Sequence, residues 1–305
     1  MPSIALLTGG TSTERDVSLA SARYVQSLLE SFGNVRVYDL PKEVDGFLLE
    51  RRAHDVAIPL IHGRGGEDGC LQGLLETLSI PYLFSRVSAH AIAIDKALAK
   101  TLVGAKGVPV KTSTLVRQGD AFFYTEPVVI KPCDGGSSIG VACARSQQEV
   151  DAALMKTFLQ ATTALIEPWI TGNEYTVAVI DEAPHAKALP VVHIQPPANR
   201  FFDYQTKYDP TCLAKETCPA LIEPSLRLRL QEFAMTVHVL LGCRHVSRSD
   251  FIVDAEGNAW FLEVNTIPGM TPTSLLPKAL AAHGSSLQEQ LIHWIRTSVE
   301  EQRAS

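Results

Sequence analysis

Two short apolar runs near the start of the chain each break off into a glycine-rich corner, and this pairing restricts the fold more than any other feature. Ile4–Leu7 runs into Thr8-Gly9-Gly10-Thr11-Ser12, and Val56–Leu60 runs into Ile61-His62-Gly63-Arg64-Gly65-Gly66-Glu67-Asp68-Gly69. Behind the first corner Val17, Tyr24, Leu28 and Phe32 recur at near-helical intervals; behind the second, Leu71, Leu74, Leu75 and Leu78 do the same. Glycine lets the backbone turn tightly and approach a ligand closely, and a helix N-terminus favours anions. Strand, glycine turn and helix, used twice, predict an open parallel sheet within residues 1–84 whose ligand sits at the carboxyl ends of the strands.

The alternation continues along the chain. Val35–Tyr38, Thr112–Val116, Val128–Lys131, Ala164–Glu167, Tyr175–Ile180, Asp250–Val253 and Ala259–Val264 read as strands, and Asp95–Gly104 and Ser225–Leu241 as helices. The fold class is therefore α/β, or α+β, and 305 residues are enough for more than one core. The 27 basic and 33 acidic side chains are intermixed, without the basic clusters that a nucleic acid partner requires. No apolar run reaches the roughly 18 residues that span a bilayer, and Met1–Leu7 lacks a basic leader, so no membrane partner and a cytoplasmic location are expected. Cys70, Cys133, Cys143, Cys212, Cys218 and Cys243 form no C-x-x-C pair and read as free thiols. Cys133, two residues after Lys131, is the one whose thiol pKa a neighbouring cation is expected to lower.

Two further segments carry chemistry. Lys131-Pro132-Cys133-Asp134-Gly135-Gly136-Ser137-Ser138-Ile139-Gly140 follows a strand and reads as a strand-turn-strand flap whose N–H groups, hydroxyls and lysine suit phosphate oxygens. There is no G-x-x-x-x-G-K-[ST] segment, which excludes the common P-loop. Near the end, Arg248-Ser249-Asp250 and Glu263-Val264-Asn265 lie on successive strands, followed by Thr266-Ile267-Pro268-Gly269-Met270-Thr271. With a period of two, Arg248 shares a face with Asp250, and Glu263 with Asn265. Two carboxylates and an amide, with no histidine or thiolate, suit Mg²⁺ bridging substrate phosphates; a plain salt bridge from Arg248 to an acid is the bland alternative.

These segments, together with Gly9–Ser18, His62–Gly69, Asp95-Lys96, Asp203-Tyr204, Lys207-Tyr208 and Leu262–Thr271, resemble in content and order the motifs of the D-alanine-D-alanine ligases of the ATP-grasp superfamily, over about Thr8 to Pro277. The resemblance implies a three-domain ATP-grasp fold: an N-terminal open parallel sheet (1–84), a central domain with the glycine-rich loop (85–167), and a C-terminal domain with the metal site and a lid (168–305). It places the nucleotide between the last two. It implies ATP-dependent joining of two D-alanines through D-alanyl phosphate for cell-wall precursors, with two Mg²⁺ or Mn²⁺ ions, by a homodimer. Lys96, Lys131 and Lys207 would then contact the ATP phosphates, Glu174 the ribose, and the backbone of Glu167 and Ile170 the adenine. Asp250, Glu263 and Asn265 would hold the metal, while Arg248 and the N–H of Gly269 would stabilise the tetrahedral oxyanion. Glu14 would take the ammonium of the first D-alanine, in a set with Ser137 and Tyr208. His62 would help position substrate, and Ser274 with Leu275 would take the carboxylate of the second D-alanine.

Cys133-Asp134-Gly135 and Gln205 depart from the family pattern without removing a proposed ligand. Two rivals follow: a ligase with D-serine in second place, D-lactate being disfavoured by Lys207-Tyr208, and a catalytically silent ATP binder, disfavoured by the intact Arg248, Asp250, Glu263 and Asn265.

Overall fold

The computed structural model describes residues 1–135, 140–182, 185–196 and 214–304. Ser137, Gln205, Lys207 and Tyr208 lie outside the described residues.

In the first sheet, β1 (Ser3–Gly9) lies between β2 (Asn34–Leu40) and β3 (Val56–Pro59), parallel to both. Such a strand is covered on both faces and so reads as an unbroken apolar run; Ile4, Ala5, Leu6 and Leu7 are all fully buried. Alternation divides them. Ile4 and Leu6 pack with Ala22, Val25 and Leu29 of α1 (Arg15–Leu29), and Ala5 and Leu7 pack with Phe47 of α2 (Val44–Glu50) and Leu71 and Leu75 of α3 (Cys70–Thr77). The expected parallel sheet with loops at one end is thus formed.

The second sheet is antiparallel, in the order β4 (Thr114–Arg117), β7 (Thr163–Pro168), β5 (Val128–Pro132), β6 (Ala142–Ala144). β5 and β6 pair antiparallel with Ile130 opposite Ala142, and residues 136–139 of the glycine-rich segment between them lie outside the described residues. Its cover, α6 (Gln147–Thr157), is not among the expected helices, although Ser146 caps it by accepting a hydrogen bond from Glu149 N at 3.3 Å.

The third sheet runs β11 (Lys215–Thr217), β10 (Val192–Gln195), β8 (Gly172–Glu182), β12 (Val246–Asp254), β13 (Ala259–Asn265), with β9 (His185–Ala188) also paired to β8. One face packs against α4 (Val87–Ile94), α5 (Lys96–Ala105) and α7 (Pro224–Leu240). The last two helices, α8 (Leu275–His283) and α9 (Leu287–Ala304), return to the first sheet, where Leu291, Trp294 and Ile295 share a core with Ile4, Leu6 and Ile58. α4 and α5 share a core with the third sheet, and α8 and α9 share one with the first sheet and with Ala178, Ile180, Val192 and Val246 of the third. No described helix is long and apolar enough to cross a membrane.

A buried clasp closes the seam between the first and third sheets. Arg244 donates to the carbonyls of Phe84 (2.9 Å) and Tyr82 (2.5 Å) and pairs with Glu301 (3.0 Å). Phe84 N donates to His245 Nδ1 at 3.0 Å, and the His245 ring stacks on Trp294. These bonds fix where β12, which carries Arg248 and Asp250, enters relative to the first sheet.

Candidate functional site

The carboxyl ends of β1 and β3 are tied by one hydroxyl. Ser18 Oγ donates to Leu60 O at 2.7 Å, accepts from Gly9 N at 2.9 Å and lies 2.9 Å from Thr8 Oγ1. Gly9 and Gly10 have φ of +95° and +85°, a backbone shape that favours glycine, and this turn delivers Glu14 and His62 to the same side. Glu67, from the second corner, accepts from Gly63 N (2.7 Å) and from Ile267 N (3.3 Å), and so joins that corner to the loop after β13.

On the third sheet, β12 and β13 pair so that Arg248 lies opposite Asn265 and Asp250 opposite Glu263. The guanidinium of Arg248 grips Asp250 along its own strand through Nε and an Nη, both at 3.1 Å. Asp250 Oδ1 also accepts from the buried Thr176 hydroxyl at 2.5 Å. Glu263 faces Lys96 Nζ at 3.2 Å, and Lys96 also donates to the carbonyl of Gly135. Asn265 Oδ1 accepts from Ile267 N at 3.0 Å, turning the chain towards Gly269 and Ser274. Ser274 heads α8, and its side chain does not cap the helix: its Oγ accepts from Thr271 N at 3.0 Å, and Leu275 opens the helix at the site.

One cavity of about 530 Å³ brings most of the expected set together, lined by Glu14, His62, Lys96, Arg248, Asp250, Glu263, Asn265, Gly269, Ser274 and Leu275 among others. Lys131, Glu167, Ile170 and Glu174 do not line it. Lys131 turns to Glu167 Oε2 (2.6 Å), whose other oxygen accepts from Lys100. Glu174 lies on β8 opposite Ile194, which does line the cavity. Lys100, Glu67 and Thr176 were not among the residues expected from the motifs. Glu67 stands inside the second corner, and Lys100 follows Lys96 by four positions on one helix face, so both had a signal; Thr176 had none.

Burial governs the ionisation here. It pushes the Glu67 carboxyl up, and the neighbouring Glu14 pushes it further. It pulls His62 down to about 4, aided by the charge of Arg248, so the ring is neutral at pH 7. Glu167 is pushed up by burial but held below the ordinary carboxylate range by the ammoniums of Lys131 and Lys100. Lys100, sharing that carboxylate, is drawn down to about 8 by burial and by Lys131. The expectation for Cys133 is overturned: burial, with an S–H to Asp95 Oδ1 at 3.3 Å, pushes the thiol up to about 11, because Lys131 is spent on Glu167.

A pH dependence of stability follows. His62 and His90 titrate at about 4 and His245 at about 3 when folded, against roughly 6.5 when unfolded. Below about pH 6.5 the unfolded chain binds protons that the folded chain refuses, so stability falls as pH drops towards 4, each histidine contributing up to roughly 1.4 kcal/mol per unit. Glu67 acts oppositely, losing stability as pH rises from its unfolded pKa, and reduces the slope. Urea midpoints at pH 7, 6 and 5 are expected to fall in that order, with a shallower fall in His90→Gln; a flat wild-type profile would contradict the burial of neutral rings.

Known proteins resemble this chain in sequence and in fold. The family described as D-ala D-ala ligase C-terminus matches residues 110–296, and that described as D-ala D-ala ligase N-terminus matches residues 42–85. The chain is similar to D-alanine–D-alanine ligases of Pseudoalteromonas translucida (38% identical, covering 95% of this chain and 94% of the relative) and Desulfotalea psychrophila (39%; 98% and 96%). Its structure is similar to a D-alanine–D-alanine ligase of Bacillus anthracis complexed with ATP (TM-score 0.84, 26% identical, covering 100% of this chain and 99% of that one). It is also similar to the VanG D-Ala:D-Ser ligase of Enterococcus faecalis (TM-score 0.80, 28% identical, covering 98% and 99%).

Proposed function

The chain belongs to the D-alanine–D-alanine ligase family, with the ATP-grasp fold, and we propose that it joins two D-alanines at the cost of ATP through a D-alanyl phosphate, for peptidoglycan precursors. One observation carries this reading: Arg248, Asp250, Glu263 and Asn265 face the same cavity as Glu14, His62 and the start of α8. A carboxylate for an ammonium, oxygen donors for a hard cation, and a helix N-terminus for a carboxylate are the three kinds of contact that two amino acids and a nucleotide need.

The donor set fits Mg²⁺. Asp250 and Glu263 are cross-strand partners, and Asp250 holds a cationic group, the Arg248 guanidinium. Asn265, opposite Arg248 across the same two strands, would supply the third donor through its amide oxygen. Bound there, the metal would neutralise phosphate charge.

In this reading a carboxylate oxygen of the first D-alanine attacks the γ-phosphorus and ADP leaves; the amine of the second, as free base, then attacks the acyl carbon, and the C–O bond to phosphate breaks. Glu14 orients the first ammonium, which buries a charge only because a carboxylate receives it. Arg248 and the Gly269 N–H meet the oxyanion of the tetrahedral intermediate. The neutral His62 packs beside the substrates without adding charge. Ser274 and the first N–H groups of α8 take the second carboxylate. Lys96 and Lys131 bind the phosphates, Glu174 the ribose, and the Glu167 and Ile170 backbone the base. Ser137, Tyr208 and Lys207, outside the described residues, keep the roles their motifs imply.

The test is phosphate release from ATP and Mg²⁺ with D-alanine, L-alanine, or D-alanine plus D-serine or D-lactate, with products identified by mass. D-alanyl-D-alanine formed from the D-isomer alone is the expected result. Mixed D-alanyl-D-serine as main product would place the chain beside the D-serine ligases, and no release with any amino acid would sink the reading.

A further inference from the structure

Lys100 is a buried lysine that none of the steps above uses. Its side chain is 4% exposed, it donates to Glu167 Oε1, and it donates to the carbonyl of Phe261 at 3.1 Å. The other oxygen of Glu167 receives Lys131 at 2.6 Å. One carboxylate thus lies between two ammoniums, and the partners come from three elements: Lys100 from α5, Lys131 and Glu167 from the second sheet, Phe261 from the third.

Charge decides what such a set can do. A buried Lys131–Glu167 pair on its own would be neutral and would offer an incoming polyphosphate little net attraction, since each approach to the ammonium would also be an approach to the carboxylate. Adding Lys100 gives the triad a net charge of +1 and engages the second oxygen of Glu167, which weakens the claim of that carboxylate on Lys131. The contact with Phe261 meanwhile anchors the triad to β13, the strand that carries Glu263 two residues later.

We propose that Lys100 is a positioning residue for the nucleotide: by engaging Glu167 it keeps that carboxylate from neutralising Lys131 and leaves the triad, at the seam of the second and third sheets, with the positive charge that the ATP phosphates meet. This rests on the reading that Lys131 contacts those phosphates. Lys100 itself is buried, does not line the cavity, and acts through Glu167 and the β13 backbone.

The test measures the Kd for ATP with Mg²⁺, and kcat and KM for ATP, on the full chain. Lys100→Met is expected to weaken ATP binding about tenfold or more, with the loss in KM rather than kcat, because the triad becomes neutral. The double variant Lys100→Met/Glu167→Gln, again with a net charge of +1, is expected to recover to within about threefold of wild type. A merely structural brace would predict the opposite, since the double variant has lost two partners. Failure of recovery therefore overturns the proposal, as does a folded Lys100→Met with unchanged Kd. Lys131→Met separates the two readings. If it weakens ATP binding while Lys100→Met does not, only the role of Lys100 falls; if it leaves ATP binding unchanged, the phosphate reading of Lys131 falls and takes the proposal with it. Should Lys100→Met fail to fold, the double variant decides: near-wild-type affinity supports the proposal, and a tenfold loss overturns it.

Discussion

Glu263→Ala is expected to lower kcat by about a thousandfold or more while leaving the fold in place. On the proposed function, the loss follows from removing one of two carboxylates that face each other across β12 and β13, since Asp250 and Asn265 alone would not balance the charge of a divalent ion. The fold survives for a separate reason. The Glu263 side chain is 26% exposed, and its buried partner Lys96 keeps the Gly135 carbonyl, so the cost of taking the carboxylate from that ammonium is held to about 2 kcal/mol. Steady-state kinetics with ATP and D-alanine, paired with a thermal melt, check both halves. A folded variant with kcat within tenfold of wild type would remove Glu263 from the metal.

Arg248→Ala is expected to cost both stability and rate. Asp250 is 5% exposed, and without the two-point guanidinium contact it keeps the Thr176 hydroxyl, leaving a buried carboxylate poorly compensated; a loss of about 3 kcal/mol follows. The rate is expected to fall by a further factor of about 10² to 10³, the usual effect of deleting an oxyanion donor. The two effects come apart under Mg²⁺. A cation that binds the freed Asp250 stabilises the folded state, so the variant's Tm should rise more steeply with Mg²⁺ than that of wild type, while its kcat stays low. Arg248→Lys keeps the charge but cannot grip both oxygens, so it should recover part of the stability and little of the rate. A variant with wild-type Tm and no added response to Mg²⁺ would show that Asp250 does not depend on Arg248.

The fold was legible where burial imposes a period on the residues. Ile4–Leu7 reads as a strand covered on both faces, and Arg248 with Asp250 and Glu263 with Asn265 fall on common faces by alternation alone. Glycines marked the corners because only they tolerate the backbone there, as Gly9 and Gly10 do with positive φ. The helices α8 and α9 left a weaker trace. Leu287, Leu291, Trp294 and Ile295 have helical spacing, but nothing local says that they cover the first sheet, more than 200 positions away, where they meet Ile4 and Ile58.

The site divides in the same way. Its direct contacts lie in short motifs, because a ligand is met by loops and strand ends whose residues stand close together in sequence. The groups that set charge and orientation do not. Lys100 and Glu167 are 67 positions apart, Lys100 and Phe261 161, Thr176 and Asp250 74, and each pair exists only because separate elements are packed against one another. Cys133 makes the point most sharply: the sequence places it beside a lysine, which would activate a thiol, whereas the packed structure buries it and gives that lysine to Glu167. By itself the sequence determined the kinds of chemical group, their order and the faces they share, all consequences of local backbone geometry. The tertiary structure alone decided which charges are buried together and which remain for a ligand, because burial and pairing are properties of the assembled interior rather than of any segment in it.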